Sequence, residues 1–128
     1  MIYLDTSVVL ARVFAEGHSP PDAFWSQDFV SSRLLEFEVF NRVHARGAGP
    51  SYTADARHFV NRVSLLDLST RVLARALLPF PQPVRTLDAL HLATMDFLRG
   101  QGQTLELATY DQRLAAAAKA LGFPLTEV

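Results

Sequence analysis

The sequence predicts an α/β layer sandwich built on a parallel sheet. Two observations carry this expectation. Short, largely apolar runs at residues 2–4 and 105–108 read as buried strands. Helical segments with their own start and stop signals alternate with such runs, as crossovers between parallel strands require. With 49% of its 128 residues hydrophobic, the chain can bury a real core, and residues 1–128 read as a single domain.

The elements follow in order. A strand over residues 2–4 ends at Asp5, and a helix follows over 7–14. A loop with two prolines spans 17–21. A second strand covers 29–31, and Ser32 is placed to cap a helix running to about residue 46. Residues 47–50 break that helix, and Ser51 can cap another over about 52–62. A third strand covers 64–68, and Ser69 caps a helix to about residue 78. Pro79, Pro81 and Pro83 stiffen the next linker. Thr86 can cap a helix to about residue 99, closed by Gly100. A fourth strand covers 105–108, a helix spans about 111–121, and Gly122 ends it. Residues 124–127 suggest a last edge strand, making about five in all. No repeat, low-complexity segment or interdomain linker interrupts the series.

Composition narrows the function classes. The chain has no cysteine, which removes disulfides, thiolate metal sites and cysteine nucleophiles, and it fits a reducing, cytoplasmic setting. The N-terminus lacks the basic start of a signal peptide, and no apolar stretch is long enough for a membrane span. The net charge of −1 does not announce nucleic acid. Of the 12 basic residues all but Lys119 are arginine, the better residue for phosphate, although genomic base composition explains the same ratio.

Four acids then stand out. Parallel sheets bind ligands beyond the carboxyl ends of their strands. Asp5 directly follows the first strand, Asp111 follows the fourth, and Asp88 lies in the first turn of the helix after the proline linker. Each alone reads equally well as a helix cap. However, Thr109 and Gln112 have capping-box spacing, which would leave Asp111 free, and Thr86 can cap the helix of Asp88. Glu38 lies on a helix that is apolar nearly all round, in a strip with Asn41, Arg42 and Ala45. Glu36 falls on the opposite side and is the weaker candidate. Converging carboxylates repel one another, and a hard divalent cation such as Mg2+ resolves this. Without cysteine, and with histidines scattered at positions 18, 44, 58 and 91, a zinc site is disfavoured. His91, one turn after Asp88, reads as a supporting or surface residue rather than a ligand.

Four segments together match a known pattern: Ile2-Tyr3-Leu4-Asp5-Thr6-Ser7; Ser31-Ser32-Arg33-Leu34-Leu35-Glu36-Phe37-Glu38; Arg85-Thr86-Leu87-Asp88-Ala89-Leu90-His91-Leu92-Ala93; and Thr109-Tyr110-Asp111-Gln112-Arg113-Leu114. In this order and spacing the chain resembles the PIN-domain ribonucleases, most closely the VapC toxins of type II toxin–antitoxin pairs. The resemblance spans the whole chain, and its register also selects Glu38 over Glu36.

The resemblance implies a three-layer α/β/α sandwich with about five parallel strands. It implies Mg2+ or Mn2+ held by Asp5, Asp88 and Asp111, with Glu38 completing a catalytic set of four. It implies endonucleolytic cleavage of RNA, a homodimer, and a cognate antitoxin partner. Thr6 and Ser7 are expected to orient Asp5, to contact phosphate or simply to start the helix. Thr109, Arg42, Arg85 and Arg12 are candidates for supporting the site or steering RNA. Tyr3, Tyr52, Tyr110, Trp25 and Phe80 could stack on bases, though most aromatic residues read as core. The apolar second helix and residues 24–29 suggest a groove for an amphipathic partner segment. Three alternatives stay open. A haloacid-dehalogenase-type phosphohydrolase lacks its second aspartate here, because the position holds Ser7. A phospho-receiver module lacks its lysine. A catalytically inactive PIN domain would not need all four acids.

Overall fold

The computed structural model describes residues 1–47 and 49–128. Among them, four strands form one parallel sheet: β1 (Ile2–Leu4), β2 (Phe29–Ser32), β3 (Val63–Leu66) and β4 (Glu106–Ala108), in the order β3-β2-β1-β4. Six helices flank it: α1 (Thr6–Val13), α2 (Leu34–Ala45), α3 (Pro50–Val60), α4 (Thr70–Ala76), α5 (Thr86–Gly100) and α6 (Gln112–Ala120). A 3-10 turn at Asp22–Ser26, absent from the sequence expectation, precedes β2.

The central strands β1 and β2 are buried throughout because both faces are covered. Alternate residues go to opposite cores, as the twofold side-chain period requires. Ile2, Leu4, Phe29 and Ala108 join Val8, Val9, Leu35, Val39 and Val60, from α1, α2 and α3. Tyr3, Val30 and Leu107 join Leu92, Met95, Leu114 and Ala117, from α5 and α6. These are the three layers of an α/β/α sandwich.

The expected fifth strand is reduced to a single bridge. Leu125 pairs with Leu107 on the outer edge of β4, held by Leu107 N–H to the Pro124 carbonyl (2.9 Å) and Thr126 N–H to the Leu107 carbonyl (2.8 Å). Proline has no amide to donate, so the ladder does not extend. The third strand begins one residue early and ends at Leu66, where its partner β2 ends at Ser32.

Several caps also differ from expectation. α3 starts at Pro50 rather than after Ser51, because a proline's fixed φ and missing donor suit the first turn. Gly49 precedes it at φ +83°. The expected break at 47–50 includes Ala48, which lies outside the described residues. Ser32 closes β2, yet its hydroxyl accepts from the Leu34 amide (3.1 Å) and so still serves the start of α2. Thr86 is the first residue of α5, which has no side-chain cap. In α2, Leu35, Val39 and Val43 are buried, but Phe37 is 66% exposed, so the helix is apolar on more sides than it buries.

Ser69 does cap α4, its hydroxyl accepting from the Val72 amide at 3.3 Å. Replacing Ser69 with alanine is expected to cost about 1 kcal/mol. Thermal unfolding would read this as a Tm lower by roughly 3–5 °C; an unchanged Tm would show that the cap contributes nothing.

The strand order determines where a ligand belongs. The chain lays β1, β2 and β3 outward in one direction, then returns to place β4 on the other side of β1. The order therefore reverses between β1 and β4, and open α/β sheets bind ligands outside the carboxyl ends at such a point.

Candidate active site

A cleft of about 750 Å³ opens at that reversal, and Asp5, Glu38, Asp88 and Asp111 all line it. Asp5 leaves β1, and Asp111 follows β4. Asp88 comes from the first turn of α5 and Glu38 from the second turn of α2. Thus the four acids arrive from both helical layers and from two adjacent strands.

Each of three carboxylates has one oxygen tied down by the protein. Asp5 is 7% exposed. Its Oδ2 accepts from the Ser7 hydroxyl (2.6 Å), the Thr109 hydroxyl (2.8 Å) and the Ser7 amide (3.3 Å). Glu38 Oε1 accepts from the Thr6 hydroxyl (3.0 Å) and lies 2.6 Å from His91 Nε2. Asp111 Oδ1 accepts from the Arg113 and Leu114 amides (2.9 and 3.3 Å). Among the described residues, the second oxygens of Asp5 and Glu38 accept no protein hydrogen bond. Asp111 Oδ2 has only Arg85 Nη2, at 3.9 Å.

Asp88 is different: among the described residues it caps no helix and its one ion-pair partner is Arg85, with Nε 3.7 Å from its Oδ2. Burial raises its pKa, and repulsion from Asp111 and Asp5 adds to this against the opposing pull of Arg85 and His91. The cluster therefore carries negative charge that the protein leaves incompletely balanced. No three acidic or histidine side chains among the described residues converge closely enough to enclose an ion by themselves. Any cation here would complete its coordination with water or substrate oxygen.

The hydroxyl residues divide their work between two acids, Ser7 serving Asp5 as expected and Thr6 not. Ser7 and Thr109 both hold Asp5, and Ser7 Oγ also accepts from the Tyr110 amide (2.9 Å). Thr6 instead reaches across to Glu38. The capping-box reading of Thr109 and Gln112 is overturned: Asp111 itself caps α6, while Thr109 Oγ1 accepts from the Asp111 amide (2.9 Å) and donates to Asp5. Asp5 likewise caps α1. For both residues, capping and cleft-facing prove compatible, because a carboxylate has two oxygens.

Of the expected arginines, Arg42 lines the cleft and Arg85 stands at its rim beside Asp88 and Asp111. Arg12 does not reach it; it pairs with Asp22 (3.6 Å) and lies over the Phe59 ring. Glu36 is engaged by Arg57 (2.7 Å) and Arg33 (3.7 Å), and Arg57 holds its carboxyl below the usual range against slight desolvation. Among the aromatic residues, Tyr3 and Trp25 are buried in the two cores and cannot stack on a base. Phe80 lies under Arg75, and Tyr52 packs against Phe14. Tyr110 is the one of the five that lines the cleft.

His91 is the residue that sequence reasoning underrated. It is 1% exposed, with Nδ1 2.7 Å from the Tyr3 hydroxyl and Nε2 against Glu38. Burial opposes its charged form, but the hydrogen bond and charge of Glu38, with Asp5 and Asp88 beyond, outweigh this and raise its pKa. The available signal was its spacing, one helical turn from Asp88 on the buried face of α5.

Comparison with known proteins agrees with the fold. The family model described as "PIN domain" matches residues 2–120. The chain belongs to the PIN domain family. It is similar to Ribonuclease VapC46 of Mycobacterium tuberculosis, at 39% identity over 94% of this chain and 92% of that protein. It is also similar to Ribonuclease VapC47 (30%, covering 96% and 93%) and Ribonuclease VapC35 (31%, covering 94% and 92%) of the same organism. Membership in the PIN domain family sets aside the phosphohydrolase and receiver alternatives. Among the described residues no helix is long and apolar enough to cross a membrane.

Proposed function

We propose that this PIN domain is a metal-dependent endoribonuclease, the toxin of a toxin–antitoxin pair, acting in the cytoplasm on cellular RNA. The observation that carries the reading is the cleft itself: four acids, three with one oxygen fixed and another left over, and Asp88 with its charge poorly balanced. The similarity to relatives named as ribonucleases of the VapC type supports the choice of RNA.

The donor set is all carboxylate oxygen, with neither cysteine nor an arrangement of histidines, which suits Mg2+ or Mn2+ rather than zinc. Asp5, Asp88 and Asp111 would hold the cation, partly through water. When bound, it would lower the pKa of a nearby water and offset charge building on phosphate. Glu38, fixed through Oε1, has Oε2 available to take the proton of the attacking water. Attack in line on phosphorus would break the bond to the 3′ oxygen, leaving a 5′-phosphate and a 3′-hydroxyl. Arg42 and Arg85, at the wall and rim of the cleft, would bind the flanking phosphates. A homodimer and a bound antitoxin belong to the same reading.

The test is to incubate purified protein with total cellular RNA and Mg2+, then map the new ends. Discrete cuts bearing 5′-phosphates, lost on chelation and restored by Mg2+ or Mn2+, are expected. Cleavage that persists in excess chelator, or no cleavage by antitoxin-free protein, would overturn the proposal.

A further inference from the structure

We infer that His91 and Tyr3 form a buried relay that positions the catalytic Glu38 carboxylate. This rests on the nuclease reading above and adds two positioning residues to it. A carboxylate only accepts hydrogen bonds, so His91 Nε2 must be the donor to Glu38 Oε1 at 2.6 Å. In the neutral ring, Nδ1 is then the acceptor, and the Tyr3 hydroxyl 2.7 Å away donates to it. The Tyr3 oxygen in turn accepts from the Ser32 amide at 3.1 Å. The relay thus runs from the backbone at the end of β2, through a side chain of β1, to an imidazole of α5, and ends on a carboxylate of α2.

Two features show that this is more than core filling. The Tyr3 and His91 rings meet edge to face, 5.8 Å apart at 85°, and both are shielded from water. An apolar residue in place of His91 would avoid burying polar nitrogens. The buried imidazole instead has both nitrogens engaged, Nδ1 by Tyr3 and Nε2 by Glu38, an acid of the cleft. Moreover, α2 packs on one face of the sheet and α5 on the other, so Glu38 meets His91 across the sheet edge. Thr6 and His91 together restrain the same oxygen from two elements, which leaves Oε2 with a defined direction. Outer partners of this kind matter because misplacement of a base by about an ångström costs much of its rate.

The experiment is a double-mutant cycle with an independent spectroscopic readout. His91→Leu should lower RNA cleavage by about 10–100-fold, and His91→Gln, which can still donate near the Nε2 position, should recover most of the loss. In a Glu38→Gln background, His91→Leu should cost little more. In the metal-free protein, nitrogen-15 NMR of the imidazole should show one fixed tautomer with its hydrogen on Nε2. Tyr3→Phe, which keeps the ring in the core, should leave the hydrogen on Nε2 but move the Nδ1 resonance, because that nitrogen loses its hydrogen-bond donor. Losses that add fully in the double variant would overturn the relay, as would an averaged tautomer in the wild type. If His91→Leu fails to fold, Tyr3→Phe and His91→Gln decide by the same two readouts. Cleavage that survives Asp5→Asn unchanged would instead refute the nuclease reading, whatever the imidazole shows.

Discussion

Asp5→Asn should reduce Mg2+-dependent RNA cleavage by at least about 100-fold, the scale at which preorganised charge acts on a phosphoryl transition state, while leaving the protein folded. The fold should survive because asparagine caps helices as well as aspartate does. Its side-chain oxygen can still accept from the Ser7 amide and hydroxyl and from Thr109, which now meet Asp5 Oδ2 at 2.6–3.3 Å. What disappears is the negative charge and the anionic second oxygen. Cleavage of a defined RNA under single-turnover conditions, with circular dichroism as the folding control, separates the two effects. A folded Asp5→Asn protein of undiminished activity would remove Asp5 from the site.

Asp88→Asn should act in opposite directions on activity and on stability. Activity should fall by about 100-fold, since the charge is lost from the cleft. Without added metal, the variant should be more stable than the wild type at neutral pH. The sign follows from the raised pKa of Asp88, caused first by burial and then by Asp111 and Asp5. A carboxyl whose pKa is higher folded than unfolded disfavours the native state once it ionises. The penalty is absent at pH well below the ordinary carboxylate value, develops as pH rises through the unfolded and then the folded pKa, and stays at neutral pH. The neutral amide removes it. Thermal melts of both proteins in chelator at pH 7 and at pH 3 test this: the variant's advantage should shrink at pH 3. A variant less stable than the wild type at pH 7 would show that Arg85 already balances Asp88. Added Mg2+ should stabilise the wild type more than the variant.

The parts of this molecule that could be read from the sequence are those governed by local rules. Strands β1, β2 and β4 announced themselves as short, largely apolar segments between helical ones, and Ser69 as a cap. The positions of the four acids relative to the strands followed from where ligands bind in parallel sheets. Glu38 was separable from Glu36 by helix geometry, and the structure gives the physical reason: Glu36 is engaged by Arg33 and Arg57 outside the cleft.

The failures share a cause, which is that they depend on contacts between distant segments. Thr109 looked like a cap for its own helix because the capping box is a local pattern. In the folded chain its hydroxyl has a better acceptor in Asp5, so Asp111 takes over the cap. Thr6 serves Glu38, 32 positions on, rather than its neighbour Asp5. His91 read as a supporting or surface residue, and only the fold, which brings Tyr3 from 88 positions away against its ring, decides for support. The final strand failed for a simpler reason, since Pro124 cannot donate to a ladder.

The reversal of strand order has a consequence in time as well as in space. Asp5 leaves the ribosome well before Thr109, whose hydroxyl fixes it and which lies 104 positions later in the chain. β4 must slot in beside β1 before Asp5 and Asp111 can share a cleft, so no amount of early folding assembles the constellation. A nascent chain that has released α1 through α5 holds three of the acids but neither the Thr109 tether nor Asp111. On the nuclease reading, the site cannot form in a nascent chain before β4 and Asp111 have been made. The cleft is complete only once the returning strand β4 is in place beside β1.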